Sequence, residues 1–189
     1  IVRRRGRKVL PLLTRIHKRD TMHVAGVVAN LIRDERPTRV FIDIGGLGSG
    51  IYDRLVELNF GYVITPINFG ESASREDRYV NKRAEMWGEM KAWLLAQPAS
   101  IPPDDTLMGD LSGPTYGYDS NGRLKLESKD DMRKRGVKSP DVGDALALTF
   151  AFPVAEPTVD QSPNSRMWED LIAAHEEASG GAWAGIHTG

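Results

Sequence analysis

Two acidic residues interrupt apolar stretches at distant points of the sequence. Asp43 directly follows the apolar residues 40–42 and precedes a glycine-rich stretch. Asp144 precedes the apolar residues 145–148, and Asp141 lies one helical turn before it. An ionised carboxylate among apolar neighbours costs several kcal/mol of free energy unless a partner compensates its charge. We therefore expect Asp43 and Asp144 to share a cation, with Asp141 nearby.

The available side chains limit which cation this is. The chain contains no Cys, and its four His residues show no spacing typical of metal ligands. Oxygen ligands favour a hard divalent ion such as Mg²⁺ or Mn²⁺. Two such ions bridged by carboxylates activate a water molecule and stabilise the leaving oxygen of a phosphodiester. The acids thus predict a metal-dependent nuclease, with Asp43, Asp144 and Asp141 as its catalytic and metal-binding residues.

Basic residues are distributed unevenly along the chain. The net charge is −1, yet residues 1–19 are strongly basic without any acid, and the part after residue 152 is mainly acidic. Clustered arginines and lysines are typical of phosphate-binding surfaces. The candidates for contacts with double-stranded DNA form a second basic cluster, which consists of Lys125, Lys129, Arg133, Lys134, Arg135 and Lys138.

Each of these assignments has a structural alternative. Asp43 can simply cap the glycine turn that follows it. Asp141 can be an acid that the dipole of a helix stabilises without any further role. The glycines can belong to a dinucleotide-binding loop, but that motif requires a glycine where Ile51 stands. The basic residues can form ordinary solvated faces.

The length and composition indicate one globular domain. A chain of 189 residues, with 40% hydrophobic and 27% charged residues, is typical of a single soluble domain. No apolar stretch reaches the roughly 18 residues that a membrane span needs, and the start shows no signal-peptide pattern. We expect a domain at residues 1–153, and a linker with a flexible acidic tail at 154–189 that contains a short helix at 167–172.

Hydrophobic periodicity predicts strands that alternate with helices. The predicted elements are strands at 8–16, 39–43 and 61–67, helices at 20–35, 51–58 and 81–97, a hairpin at 116–127 and a last helix at 140–152. Ser139 is expected to cap the last helix, with Pro140 at its first position. This order predicts an α/β fold with helices on both faces of a sheet.

The chain resembles the C-terminal nuclease domain of the large terminase subunit of tailed bacteriophages in four blocks that occur in the same order. These blocks are residues 43–55, 79–87, 126–129 and 138–150. The resemblance implies an RNase H-like fold and a Mg²⁺- or Mn²⁺-dependent endonuclease that cuts concatemeric double-stranded viral DNA, with a two-metal site. It implies that Asp43 and Asp144 are the second and third acidic ligands and that Asp141 is an auxiliary one.

The resemblance also carries expectations about context. It implies a terminase ATPase domain, a small terminase subunit and a portal protein as partners, in the host bacterial cytoplasm, for a phage or prophage protein without a membrane role. The family's first catalytic Asp falls ahead of residue 1, so we expect the first strand of the sheet to be missing, and the ATPase motif G-x-x-x-x-G-K-[ST] is absent from the sequence. The alternatives are a catalytically inactive DNA-binding or assembly fragment of the same fold, and another RNase H-like nuclease of the resolvase or transposase type.

Overall fold

A computed structural model of the chain describes residues 1–12, 20–96 and 98–154. Strands and helices alternate along most of this part, which confirms the predicted α/β class. In chain order they are β1 (Arg4–Arg5), β2 (Lys8–Val9), α1 (Thr21–Glu35), β3 (Val40–Asp43), α2 (Gly48–Glu57), β4 (Ile64–Ile67), α3 (Lys82–Leu95), α4 (Asp105–Ser112), β5 (Tyr116–Tyr118), β6 (Leu124–Leu126), α5 (Lys129–Lys134) and α6 (Asp141–Leu148). The predicted tail with its short helix lies outside the described residues.

The strands of the described residues pair two by two. β3 runs parallel to β4, with Asp43 opposite Ile67, while β1 with β2 and β5 with β6 form antiparallel hairpins. Because parallel strands end at the same edge, Asp43 lies at the carboxyl edge of the β3–β4 pair, where open α/β sheets bind their ligands. A single larger sheet covered on both faces stays a prediction.

The glycine-rich segment turns β3 directly into α2. The helix begins at Gly48, earlier than the predicted start at Ile51. A Cβ atom at residue 48 would lie 1.7 Å from the carbonyl oxygen of Asp43. Gly46 has a φ of 82°, in the left-handed region that favours glycine. These glycines therefore let the helix start against the end of the strand that carries Asp43.

Two of the three apolar clusters in the described residues hold the elements of interest here. The first packs α1 and α2 against β3 and β4, with Ile32 and Leu55 buried in it. The second surrounds α3, where Met86 and Met90 are at most 1% exposed and contact the face of α6 that carries Leu146. Full burial of a Leu or Met side chain contributes about 1.5–3 kcal/mol. The second core positions α6 and therefore Asp144.

The basic N-terminal hairpin binds the ends of two helices. Arg4 donates to the carbonyl oxygen of Thr149 at 2.9 Å and stacks over the ring of Phe150 at 4.3 Å from its centroid. Arg7 donates to the carbonyl oxygen of Trp93 at 2.6 Å. Both arginines thus satisfy carbonyl groups near helix C-termini, where cations are favourable. The strand expected at 8–16 begins at Lys8 as predicted, but it pairs with β1 and already ends at Val9. Residues 13–19 lie outside the description.

Two short helices were not predicted. Asp104 caps α4 by accepting a hydrogen bond from the amide of Leu107 at 2.9 Å. Ser128 caps α5 by accepting from the amide of Asp131 at 3.1 Å, while its hydroxyl donates to the Asp131 carboxylate at 2.7 Å. Both helices have only 8 residues or fewer, too short for a periodic apolar pattern. No helix among the described residues has the length and apolarity to cross a membrane.

Substitution of Gly48 by Ala tests the tight approach of α2 to β3. We expect Gly48→Ala to lower the free energy of unfolding by about 1–3 kcal/mol, because the added Cβ overlaps a backbone atom. Gly26→Ala is the matched control, since nothing lies within 4 Å of a Cβ there and α1 has no strained φ at this position. It should raise the free energy of unfolding by up to about 1 kcal/mol. Urea denaturation of both variants measures this, and equal effects would contradict the close approach.

Candidate functional site

Asp43 is a half-buried carboxylate at the end of β3. Its Oδ1 accepts a hydrogen bond from the amide of Gly45 at 2.9 Å, so the turn-capping alternative is part of its role. Burial raises the pKa of this carboxyl, and the negative charge of Asp144 raises it further. The Gly45 hydrogen bond and the positive charge of Lys129 lower it without cancelling the increase. Asp43 is therefore electrostatically coupled to Asp144 and Lys129, although they are far apart in sequence.

Asp144 is a buried carboxylate with cationic partners. It is 5% exposed in the first turn of α6, the helix that packs against α3. Its Oδ1 accepts hydrogen bonds from Arg83 Nε at 3.0 Å and from Trp87 Nε1 at 2.9 Å. Lys129 Nζ lies 2.8 Å from Oδ2, but this ion pair lacks hydrogen-bond geometry, and Oδ2 accepts no hydrogen bond from the described residues. The second oxygen is thus paired with an ammonium group without accepting a hydrogen bond from it.

The third predicted acid differs from Asp144 in its exposure. Asp141 is the first residue of α6 and is exposed. Residues three apart are neighbours on a helix surface, so Asp141 lies one turn before Asp144. Its predicted auxiliary role stays a prediction, as do the predicted ligand roles of Asp43 and Asp144.

The predicted DNA-binding residues on α5 are mostly engaged in ion pairs. Arg133 pairs with Asp130 at 2.6 Å and Lys134 with Asp131 at 2.8 Å, both on the exposed surface of the helix. Such exposed pairs contribute less than about 1 kcal/mol and exchange readily with other partners. Arg133 and Lys134 therefore remain accessible to phosphates. Lys129, at the start of the same helix, is instead directed to Asp144.

The side chain of Arg135 is bound within the protein. It donates two hydrogen bonds to the carboxylate of Glu127, at 2.9 and 2.7 Å, and one to the carbonyl oxygen of Gly113 at 2.8 Å. These hydrogen bonds from Arg135, with another from the amide of Thr115, lower the pKa of Glu127 to about 2. Lys125 and Lys138 are exposed and form no ion pair within the described part of the chain.

Three residues of the site were not found from the sequence. Arg83 and Trp87, on successive turns of α3, hold Oδ1 of Asp144, and their spacing of four was the available signal. Asp110 on α4 accepts hydrogen bonds from the amides of Val142 and Gly143, at 2.8 and 3.1 Å. The predicted capping of α6 by Ser139 is therefore wrong, and no local pattern pointed to a cap from another helix.

The donor set fits a hard divalent ion with few protein ligands. Asp43 and Asp144 supply carboxylate oxygens, and the buried Oδ2 of Asp144 accepts no hydrogen bond from the described residues, with the Lys129 ammonium 2.8 Å away. Mg²⁺-like ions typically keep several waters and bind through one or two carboxylates plus substrate phosphates. No group of three or more potential metal ligands occurs among the described residues. The pair thus suits one hydrated ion, and the expected second ion stays a prediction.

Comparison with solved structures identifies domains of the same fold. The nuclease domain of the large terminase subunit gp2 of bacterial virus Sf6 is 20% identical, with a TM-score of 0.64, over 82% of this chain and 81% of that chain. A single-residue mutant of that domain with manganese is 20% identical, with a TM-score of 0.66, over 80% of this chain and 82% of that chain. A mutant with calcium has a TM-score of 0.64 at 20% identity, over 80% and 81% of the two chains.

These matches confirm the predicted resemblance at the level of the fold. Identities of 18–20% over about four fifths of the chain show a shared fold alone. No family model matches the sequence, and no curated protein does.

Removal of the Arg83 guanidinium tests how strongly the buried carboxylate depends on it. We expect Arg83→Met to lower the free energy of unfolding by about 3 kcal/mol, because it leaves a buried charge with one partner fewer. The control is Arg133→Met, whose ion pair is 77% exposed on both sides. That variant should change stability by less than about 0.5 kcal/mol. Urea denaturation at neutral pH gives both values, and similar small effects would contradict a buried, dependent Asp144.

The raised pKa of Asp43 predicts a pH-dependent gain of stability on its removal. When the pKa of a carboxyl is raised in the folded state, the free energy of unfolding falls as the pH rises above the ordinary pKa of that carboxyl, which is 3.8 for Asp43. Asp43→Asn keeps the oxygen that accepts from Gly45 but cannot ionise. It should therefore be more stable than the parent chain near pH 7, with the difference vanishing below about pH 3.8.

Thermal unfolding across this pH range measures the difference. Asp53→Asn, an exposed carboxylate on α2, is the control and should show no comparable gain near pH 7. A loss of stability in Asp43→Asn at pH 7 would mean that the ionised carboxylate stabilises the fold, which would contradict its unfavourable desolvation.

Proposed function

We propose that this chain is the nuclease domain of a viral DNA-packaging terminase, an RNase H-like endonuclease that uses Mg²⁺ or Mn²⁺ to cut concatemeric double-stranded DNA. The observation that carries the proposal is the buried Asp144 carboxylate, whose Oδ2 lies 2.8 Å from Lys129, on a helix that contacts β3, the strand that ends at Asp43. The fold supports it, because the similar solved structures are nuclease domains, one with manganese and one with calcium.

The two carboxylates have different tasks in this proposal. Arg83 and Trp87 hold Oδ1 of Asp144, so the buried Oδ2 is the atom that would bind the ion. Asp43 would supply the second ligand, because its partly desolvated carboxylate gains from a nearby cation. A bound divalent ion lowers the pKa of a water molecule and stabilises the leaving oxygen of the phosphodiester.

Lys129 links the carboxylates to the substrate. Its ammonium neutralises Oδ2 of Asp144 at 2.8 Å, and its side chain is 43% exposed. An ammonium at this position can turn from the carboxylate to a DNA phosphate with little rearrangement, because its flexible stem carries a point charge. Lys129 therefore holds the site neutral before substrate binds and contacts the phosphate afterwards.

The proposed DNA surface comprises α5 and the residues that flank it in sequence. Lys125 and Lys138 are exposed without an ion pair among the described residues, and Arg133 and Lys134 have only exposed pairs. Each phosphate contact adds to the salt dependence of DNA affinity. Arg135 contributes indirectly, because it fastens the end of α5 to Glu127.

A non-catalytic DNA-binding or assembly module is the second candidate. The observation that favours it is the neutralisation of Asp144 by two cations, Arg83 and Lys129, which would weaken ion binding.

In the wider proposal the domain works with a terminase ATPase domain, a small terminase subunit and a portal protein in the cytoplasm of the host bacterium. A resolvase or transposase activity has no separate observation in its favour.

Binding of Mn²⁺ separates these candidates in the chain as it stands. Mn²⁺ titration followed by electron paramagnetic resonance counts bound ions directly. We expect Asp43→Asn and Asp144→Asn each to weaken Mn²⁺ binding at least tenfold, because each removes one of two carboxylate ligands. Asp141→Asn should weaken it less. Asp34→Asn, an exposed acid on α1, is the control and should bind as the parent chain does.

Cleavage of linear duplex DNA in Mn²⁺ is the accompanying assay. Loss of cleavage in Asp43→Asn, whose fold we expect to be stable, supports the nuclease. Salt-dependent DNA binding with neither Mn²⁺ uptake nor cleavage would favour the non-catalytic module. Preference for branched over linear duplex would favour a resolvase, and unaltered Mn²⁺ affinity in both Asn variants would exclude this metal site.

A further inference from the structure

The first turn of α6 receives its cap from another helix. The amide groups of a first helical turn have no partner within the helix and need an acceptor. Pro140 occupies the N-cap position and has no side-chain acceptor. The amides of Val142 and Gly143 instead donate to Oδ2 of Asp110, at 2.8 and 3.1 Å. One carboxylate oxygen on α4 therefore holds the backbone that immediately precedes Asp144.

The same contact lies against the indole that binds Asp144. A Cβ at residue 143 would lie 3.2 Å from Cβ of Asp110, and 3.0 Å from Cη2 of Trp87. At its other end the Trp87 ring donates from Nε1 to Oδ1 of Asp144 at 2.9 Å. Asp110, Gly143, Trp87 and Asp144 thus form one continuous set of contacts that joins α3, α4 and α6.

We propose that Asp110 is a positioning residue for Asp144. By holding two amides of the α6 first turn, it fixes where the carboxylate of Asp144 meets Trp87 and Arg83, and which oxygen is left for a ligand. The three helices are tightly packed at Gly143, so a shift of the first turn of α6 would also displace the side chain of Asp144. The consequence for metal binding rests on the proposed function, whereas the positioning itself is a property of the fold.

Two other roles for Asp110 must be distinguished from positioning. Its negative charge favours a helix N-terminus without any directional contact, and a helix cap contributes to stability wherever it occurs. Asp110→Ala removes the acceptor and the charge, while Asp110→Asn removes the charge but keeps an oxygen for the amides. Ile32→Val, in the separate core of α1 and α2, loses about as much stability as a lost cap, roughly 1 kcal/mol, without touching α6.

The position of Asp144 is read from the indole N–H resonance of Trp87 in the metal-free protein. The ¹H–¹⁵N spectrum resolves indole groups, and Trp87→Phe assigns the peak. Because the shift of this proton depends on its hydrogen bond to Asp144, we expect a clear displacement in Asp110→Ala. Asp110→Asn and Ile32→Val should leave the peak near its original place. An unmoved peak in Asp110→Ala, or equal displacement in Asp110→Asn, would overturn the positioning role.

Mn²⁺ affinity measures the consequence for the site. Outer-sphere partners of metal ligands typically change metal affinity by 10–100-fold, so we expect about tenfold weaker Mn²⁺ binding in Asp110→Ala. Asp110→Asn should stay within about twofold of the parent chain, and Ile32→Val should be unchanged. Equal loss in Ala and Asn variants would assign the effect to charge and overturn the proposal. If the parent chain binds no Mn²⁺, the proposed function fails, and the indole resonance alone decides the role of Asp110.

Discussion

The structure depends on one buried negative charge, the carboxylate of Asp144. A carboxylate that is 5% exposed must be neutralised, and the partners come from two other helices, Arg83 and Trp87 on α3 and Lys129 on α5. Buried ion pairs are weak evidence for stability, because apolar residues of similar size often stabilise as much or more. A carboxylate at such a position, with one oxygen held by Arg83 and Trp87 and the other beside an exposed lysine, is what the proposed metal site requires.

The N-terminal turn of α3 shows how the chain holds this charge in place. Beside Arg83, the side chains of Lys82 and Glu85 are also buried and pair at 2.8 Å. Burial acts to raise the pKa of Glu85, but hydrogen bonds from Lys82 and from the amides of Ser74 and Arg75 outweigh it and lower the pKa. The carboxylate thereby fastens the segment after β4 to the helix. This polar network fixes the start of α3, and the apolar core at Met86 and Met90 fixes the rest, so Arg83 reaches Asp144 from a rigid element.

The sequence predicted the elements whose patterns are local and long, and missed those that depend on other parts of the chain. α1, β3, β4 and α3 follow from periodicity, whereas the expectation that Asp43 and Asp144 share a cation came from two acids placed beside apolar runs and stays a prediction. The short helices α4 and α5 offered only capping residues as signals. The cap of α6 could not be predicted, because Asp110 lies about 30 residues earlier in the chain, on another helix. Ser139, a residue type that often caps helices, precedes α6 in the sequence and was the more obvious candidate. The partners of Arg4 and Arg135 could not be predicted for the same reason, because composition does not show which carbonyl group or carboxylate a cation binds.

The balance of charges at the site sets how it must respond to a cation. With Lys129 at 2.8 Å from Oδ2 of Asp144, a divalent ion at the proposed site would replace an ammonium and would not add to an open anionic site. The gain in Coulomb energy is then the difference between a divalent and a monovalent partner, increased by the relief of Asp43, whose carboxylate is otherwise unfavourably desolvated. The displaced lysine, already 43% exposed, gains a partner when a DNA phosphate is present. Ion binding and DNA binding are therefore expected to favour each other. The ion would displace Lys129 from Asp144, and a DNA phosphate would pair with the displaced ammonium.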